Sequence, residues 1–169
     1  SRDWSSDVCS SDLPAINAFF GPAAAAQVVK AHGRAKIVTA TNVFAHIENV
    51  HEIVESIVSM LDDDGIFISE SHYLLPLIET LQYDTIYHEH LRYYALQSLK
   101  YLLEMHGLEI IHAKRIPTHG GSIRVYAARK GQRPVQDSVS ALLAVEDREL
   151  TWDRFMDFRR RVSQSKLDL

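Results

Sequence analysis

The run Tyr83-Asp84-Thr85-Ile86-Tyr87-His88-Glu89-His90, followed closely by Arg92-Tyr93-Tyr94, is the densest stretch of polar aromatic and titratable side chains in the sequence. A histidine beside a glutamate can take a proton at neutral pH, because imidazole titrates at about 6.5 and a neighbouring carboxylate raises its basicity. A tyrosine hydroxyl nearby can stabilise the oxyanion that such a step creates. Backbone state decides which side chains cooperate: in a helix Tyr87 and His90 share a face, whereas in an extended segment His88 and His90 do. His46 and His119 can supply further donors if the fold brings them to the same place. His88, Glu89 and His90 are also metal-ligand types, but they lack the gap that puts two histidines on one helical face, and no third ligand is marked. No metal site is assigned. Taken singly, His32, His51, His106 and His112 read as structural or surface groups. Gly120-Gly121 fits a close backbone approach to a ligand and a tight turn equally well.

Elements that must hold these residues can be read around them. Pro22 to Ala31 is alanine-rich with proline in its first turn and Gly33 past its end, as suits an outer helix. Lys36 to Thr41 reads as a strand buried on both faces of a parallel sheet. Val50, Ile53, Val54, Ile57, Val58 and Leu61 recur at helical spacing, and Asn49 with Glu52 resembles a capping box. Asp62-Asp63-Asp64-Gly65 reads as the turn that ends this helix, before a strand from Ile66 to Glu70. Leu96, Leu99, Leu102 and Leu103 mark another helix with a stop at His106-Gly107, and 108–116 and 122–128 read as two strands of a hairpin. After Pro134, 137–149 and 152–163 read as helices. A parallel strand–helix–strand unit followed by an antiparallel pair is the second half of a doubly wound α/β sheet. Ligands of such sheets sit beyond the carboxyl ends of the strands, so Thr41-Asn42, Glu70-Ser71-His72 and His119 should border one crevice.

Composition narrows the partners. The 169 residues are 46% hydrophobic and 24% charged, with a formal net charge of -4, so no basic face invites nucleic acid. No apolar run reaches the roughly 18–20 residues that span a bilayer, and no signal pattern opens the chain, so the expectation is a cytoplasmic protein without a membrane partner. A single cysteine, Cys9, allows neither an internal disulfide nor a cysteine-rich zinc site.

Four stretches together carry a family resemblance: Phe19-Phe20-Gly21-Pro22, Thr41-Asn42-Val43-Phe44-Ala45-His46, Asp84-Thr85-Ile86-Tyr87-His88-Glu89-His90-Leu91, and Thr118-His119-Gly120-Gly121-Ser122-Ile123-Arg124-Val125-Tyr126. With them the chain resembles the S-adenosylmethionine-dependent C-methyltransferases that install a branch methyl on nucleotide-linked deoxysugars, a branch of the Rossmann-like methyltransferases. The resemblance implies that a base removes the proton beside a sugar ketone and that the enolate carbon takes the cofactor's methyl group. By position it implies His90 as base, with Glu89 as alternative or orienting partner, and Tyr87 and His46 on the enolate oxygen. It places Asn42, Phe44 and Phe19 at the cofactor, although Ala18 stands where an acidic residue is expected. His119, Gly120 and His72, at the same crevice, are the substrate-binding candidates.

Residues 1–13 read as a non-native tail, similar to a translated sequencing adapter. Residues 14–131 then read as the C-terminal half of a methyltransferase domain and 132–169 as the start of a C-terminal domain. The expectation is a fragment of a longer enzyme, inactive alone, whose zinc-binding N-terminal domain and glycine-rich cofactor turn lie upstream. Oligomeric state is left open. An O- or N-methyltransferase and a noncatalytic α/β interaction module are the competing readings; the first needs no base for a carbon acid, and the second predicts a dispersed or structural His-Glu-His segment.

Overall fold

The computed structural model describes residues 14–168; the adapter-like segment lies outside the described residues. The first elements are helix α1 (Pro22–His32), strand β1 (Ala35–Thr41), helix α2 (Val50–Met60) and strand β2 (Leu61–His72). They are followed by α3 (Leu74–Glu79), α4 (Leu96–Met105), β3 (Leu108–Ile116), β4 (Ser122–Arg129), α5 (Asp137–Glu149) and α6 (Trp152–Leu167).

Helix α2 forms for the reason its spacing suggests: Val50, Val54 and Ile57 bury one face. The Asn49 side chain accepts the Glu52 N–H at 3.4 Å, and its amide donates to the Glu52 carboxylate at 3.3 Å. An N-cap of this kind contributes about 1 kcal/mol. The helix then enters β2 directly. The Asp62-Asp63-Asp64-Gly65 segment, expected as a turn, is a bulge within the strand: Ala35 pairs with Leu61, yet Ile37 pairs with Ile66. Basic residues on the neighbouring segment neutralise it, Lys36 bridging Asp62 at 2.8 Å and Asp64 at 2.5 Å, and Arg34 bridging Asp63 at 3.1 Å. Glycine is required at the closest approach, since a Cβ on Gly65 would lie 2.9 Å from the Ala35 carbonyl oxygen.

The sheet runs β1-β2-β4-β3, with β1 parallel to β2 and β4 antiparallel to both its neighbours. The expected mixed α/β sheet with an antiparallel pair at one edge is therefore present. Within this chain β1 is not covered on both faces as expected: Ile37 is 63% exposed. β1 is the other edge strand, and α1 packs chiefly on α2 instead of covering it. Helix α3 had no sequence signal because Leu75, Pro76, Leu77 and Ile78 are all buried, which leaves no polar face to create a period. One core joins the sheet to its helices, centred on Phe44, Phe67, Tyr73, Leu99 and Ile123.

Candidate active site

A cleft of about 350 Å3 opens beyond the carboxyl ends of β1 and β2, where a sheet of this kind receives a ligand. Asn42 and His46 border it from the segment after β1, Ser71 and His72 from the end of β2, and His119 from the β3–β4 turn. Thr85, Tyr87 and His90 enter from the connection between α3 and α4. That connection is tied to the 3-10 turn Phe44–His46 and its exit. The Leu91 N–H donates to the Ala45 carbonyl at 2.8 Å, and Arg92 holds the carbonyls of Ile47 and, at 2.7 Å, Glu48.

The backbone around the central cluster is a turn, closed by the His90 N–H donating to the Tyr87 carbonyl at 3.1 Å. It selects the Tyr87–His90 pairing. The two rings lie 4.3 Å apart, and the tyrosine Oη is 3.2 Å from His90 Nε2. His90 Nδ1 sits 2.9 Å from the Thr85 carbonyl oxygen, which can only accept, so in the neutral ring Nδ1 carries the proton and Nε2 the lone pair. The same inference applies to His46, whose Nδ1 donates to the Glu89 carbonyl at 3.0 Å. His46 and His90 stand 5.0 Å apart, each offering an unprotonated Nε2. Thr85 O also accepts Tyr93 Oη at 3.1 Å, and burial pushes that phenol's pKa up, so it stays a donor. These bonds fix the tautomer of each ring, the control a proton-transfer site needs.

Several expected residues stand elsewhere. The Glu89 side chain does not line the cleft; it is 61% exposed beside His88, itself 90% exposed, and Glu89 contributes through its backbone carbonyl. Phe44 is 1% exposed, packed against Phe67 and Tyr94, so its ring belongs to the core and not to a cofactor contact. Phe19 is fully exposed and outside the cleft. Gly120 borders the neighbouring surface, while His119 reaches the cleft from a left-handed backbone (φ 52). Glu70, expected at the crevice, is held by Arg124 at 2.7 Å and by the Thr118 hydroxyl at 3.1 Å, while its carbonyl accepts the Asn42 N–H. Ser71 is the notable addition: the residue borders the cleft, and its hydroxyl is buried with no hydrogen-bond partner among the described residues. His51–His106 and His112–Ser138 hydrogen bonds account for three of the structural histidines. Among the described residues there is no cluster of three or more His, Cys, Asp or Glu side chains arranged to hold a metal, and no helix long and apolar enough to cross a membrane.

Comparison with known families matches residues 2–113 to a methyltransferase domain and residues 117–169 to a C-methyltransferase C-terminal domain. C-methyltransferase NovU of Streptomyces niveus is 39% identical over 121 residues, which is 71% of this chain. The chain spans 29% of that relative's length. Among solved structures, an S-adenosylmethionine-dependent methyltransferase of Anabaena variabilis aligns with a TM-score of 0.49 at 13% identity, covering 65% of this chain and 55% of that one. Magnesium protoporphyrin IX methyltransferase of Synechocystis PCC 6803, with bound SAH, aligns with a TM-score of 0.46 at 16% identity, covering 57% and 46%. The strand β4, inside the second matched stretch, pairs along β2, inside the first, so the two matches share one sheet. The chain belongs to the methyltransferase-domain family, on the C-methyltransferase side of it.

Proposed function

We propose that the protein containing this chain is an S-adenosylmethionine-dependent C-methyltransferase acting on a nucleotide-linked keto-deoxysugar. A nucleotide-sugar substrate and a cytoplasmic setting are parts of this reading. The observation that carries it is the pairing of His90 with Tyr87 beside His46 in one cleft, each imidazole with its lone pair on Nε2. Methylation of carbon needs a base for a weak carbon acid, whereas an oxygen or nitrogen nucleophile needs much less.

His90 Nε2 takes the proton from the carbon beside the ketone, the C–H electron pair moves into the new carbon–carbon double bond, and the charge passes to the former carbonyl oxygen. Tyr87 Oη, released from His90 as that nitrogen gains its proton, turns to donate to this oxygen. His46, with its lone pair on Nε2 in the neutral ring, can donate to the same oxygen only as the imidazolium, and Ser71 and His119 are left to orient the sugar. S-adenosylmethionine, when bound, supplies an electrophilic methyl on a sulfonium that leaves as a neutral thioether. Of the three residues that the resemblance assigns to it, Asn42 lines the cleft, the Phe44 ring lies in the core and Phe19 stands exposed outside the cleft.

The test is His90→Asn in the methyltransferase that contains this chain. Asparagine can still donate to the Thr85 carbonyl but lacks an equivalent of Nε2. Methyl transfer to a nucleotide-linked keto-sugar is expected to fall by about 10²–10⁴-fold with cofactor binding retained. Transfer at the wild-type rate would remove His90 from the role of base.

A further inference from the structure

Gln82 has no part in the reaction sequence above, yet it touches two walls of the cleft and supports the third. Its side-chain nitrogen donates to the Gly120 carbonyl at 2.7 Å and to Thr80 Oγ1 at 2.5 Å. The Thr80 hydroxyl donates onward to the Pro76 carbonyl at 2.8 Å, so it accepts from Gln82. A carbonyl oxygen only accepts, and this fixes which way the Gln82 amide points. Its Oε1 therefore faces His72 Nε2, at 3.1 Å. His72 must carry its proton on Nε2 and its lone pair on Nδ1, the reverse of His46 and His90.

The main chain of the same residue acts on His90. The Gln82 carbonyl accepts the Thr85 N–H at 3.3 Å and the Thr85 hydroxyl at 2.8 Å, and the Thr85 carbonyl is the group that holds His90 Nδ1. Gly120 is shaped by the contact as well. Its φ of 77° favours glycine, and an added Cβ would lie 2.5 Å from Gln82 Oε1.

We propose that Gln82 is a positioning residue of the cleft, whose amide locks His72 in the Nε2–H tautomer and ties the His119-Gly120 turn to the loop that presents His90. What the cleft catalyses rests on the C-methylation reading, but the lock itself does not. The titratable groups sharing the cleft with His72 are His46, His90, His119 and Tyr87; no carboxylate lines it among the described residues. Glu70 shares His72's face of β2, but its carboxylate is taken up by Arg124 at 2.7 Å and Thr118 at 3.1 Å, and the side-chain partner of the His72 ring is the neutral amide of Gln82.

Long-range proton–nitrogen NMR of the full chain reads the tautomers directly. Wild-type His72 is expected to show a protonated Nε2 and an unprotonated Nδ1, with the opposite pattern at His46 and His90. In Gln82→Glu the carboxylate still accepts from His72 but can no longer donate to Gly120, so the His72 titration midpoint should rise by about one pH unit and the Gly120 resonance should move. In Gln82→Leu the His72 signals should shift toward tautomer averaging while His46 keeps its pattern. A wild-type His72 protonated on Nδ1, or His72 and Gly120 resonances unmoved in both variants, overturns the assignment. Both results are independent of methyl transfer, so a failure of the lock and a failure of the reaction assignment are told apart.

Discussion

At the scale of single residues, two backbone carbonyls decide what the cleft can do. Thr85 O and Glu89 O each accept a hydrogen bond from an imidazole Nδ1–H, and that leaves the lone pair of His90 and His46 on Nε2. The sequence named both histidines and Tyr87, but left open whether His90 would pair with Tyr87 or with His88. The answer lies in a single turn hydrogen bond, between His90 N–H and Tyr87 O, which composition does not encode. The resemblance placed Phe44 at the cofactor, whereas its ring packs against Phe67 and Tyr94, a contact that no local pattern encodes. Gln82 carried no signal at all, being one polar residue in a polar loop. Tyr87→Phe removes the hydroxyl that bonds His90 Nε2 and that is proposed to donate to the enolate oxygen. Because the ring is 45% exposed, the variant should keep its melting temperature. Methyl transfer should fall by about 10²-fold; steady-state kinetics on the intact methyltransferase checks this, and an unchanged rate would remove Tyr87 from the oxyanion role.

At the scale of elements, the loop carrying Tyr87 and His90 is stapled at its two ends by one buried carboxylate. Glu146 of α5 accepts Tyr73 Oη at 2.8 Å, just after β2, and the N–H groups of Leu96 at 2.5 Å and Gln97 at 3.0 Å, at the start of α4. It supplies the N-terminal cap that Ala95 cannot, from a helix 50 residues further along the chain. Burial, and then this carboxylate, push the Tyr73 phenol well above its ordinary pKa, so the donor keeps its proton. Local rules find a cap one to three residues away, which is why the helix was legible and its cap was not. Glu146→Ala strands the buried Tyr73 hydroxyl and the Leu96 N–H, and should lower stability by about 2–4 kcal/mol. Glu146→Gln, which keeps one accepting oxygen, should cost less. Urea unfolding of the chain measures both, and an alanine variant within about 0.5 kcal/mol of wild type would contradict the staple.

For the molecule as a whole, position in the sheet turns scattered residues into a site. Asn42, His46, His72, Tyr87, His90 and His119 are spread over 78 positions from first to last, and they converge because β1 and β2 end at one side and the β3–β4 turn reaches the same side. This convergence was legible, since it follows from reading a parallel strand pair and a hairpin. The sheet order was not, because either strand of the hairpin could have joined β2; β4 does so, with Ile123, Val125 and Ala127 buried along one of its faces.

The central claim is that His90 removes a proton from carbon, and solvent-deuterium exchange tests it without requiring methyl transfer. The intact methyltransferase, incubated in heavy water with a nucleotide-linked keto-sugar and no methyl donor, should place deuterium on the carbon beside the ketone. The His90→Asn variant should do so slower by about 10²–10⁴-fold while still binding the sugar. Exchange in that variant at the wild-type rate would contradict the account.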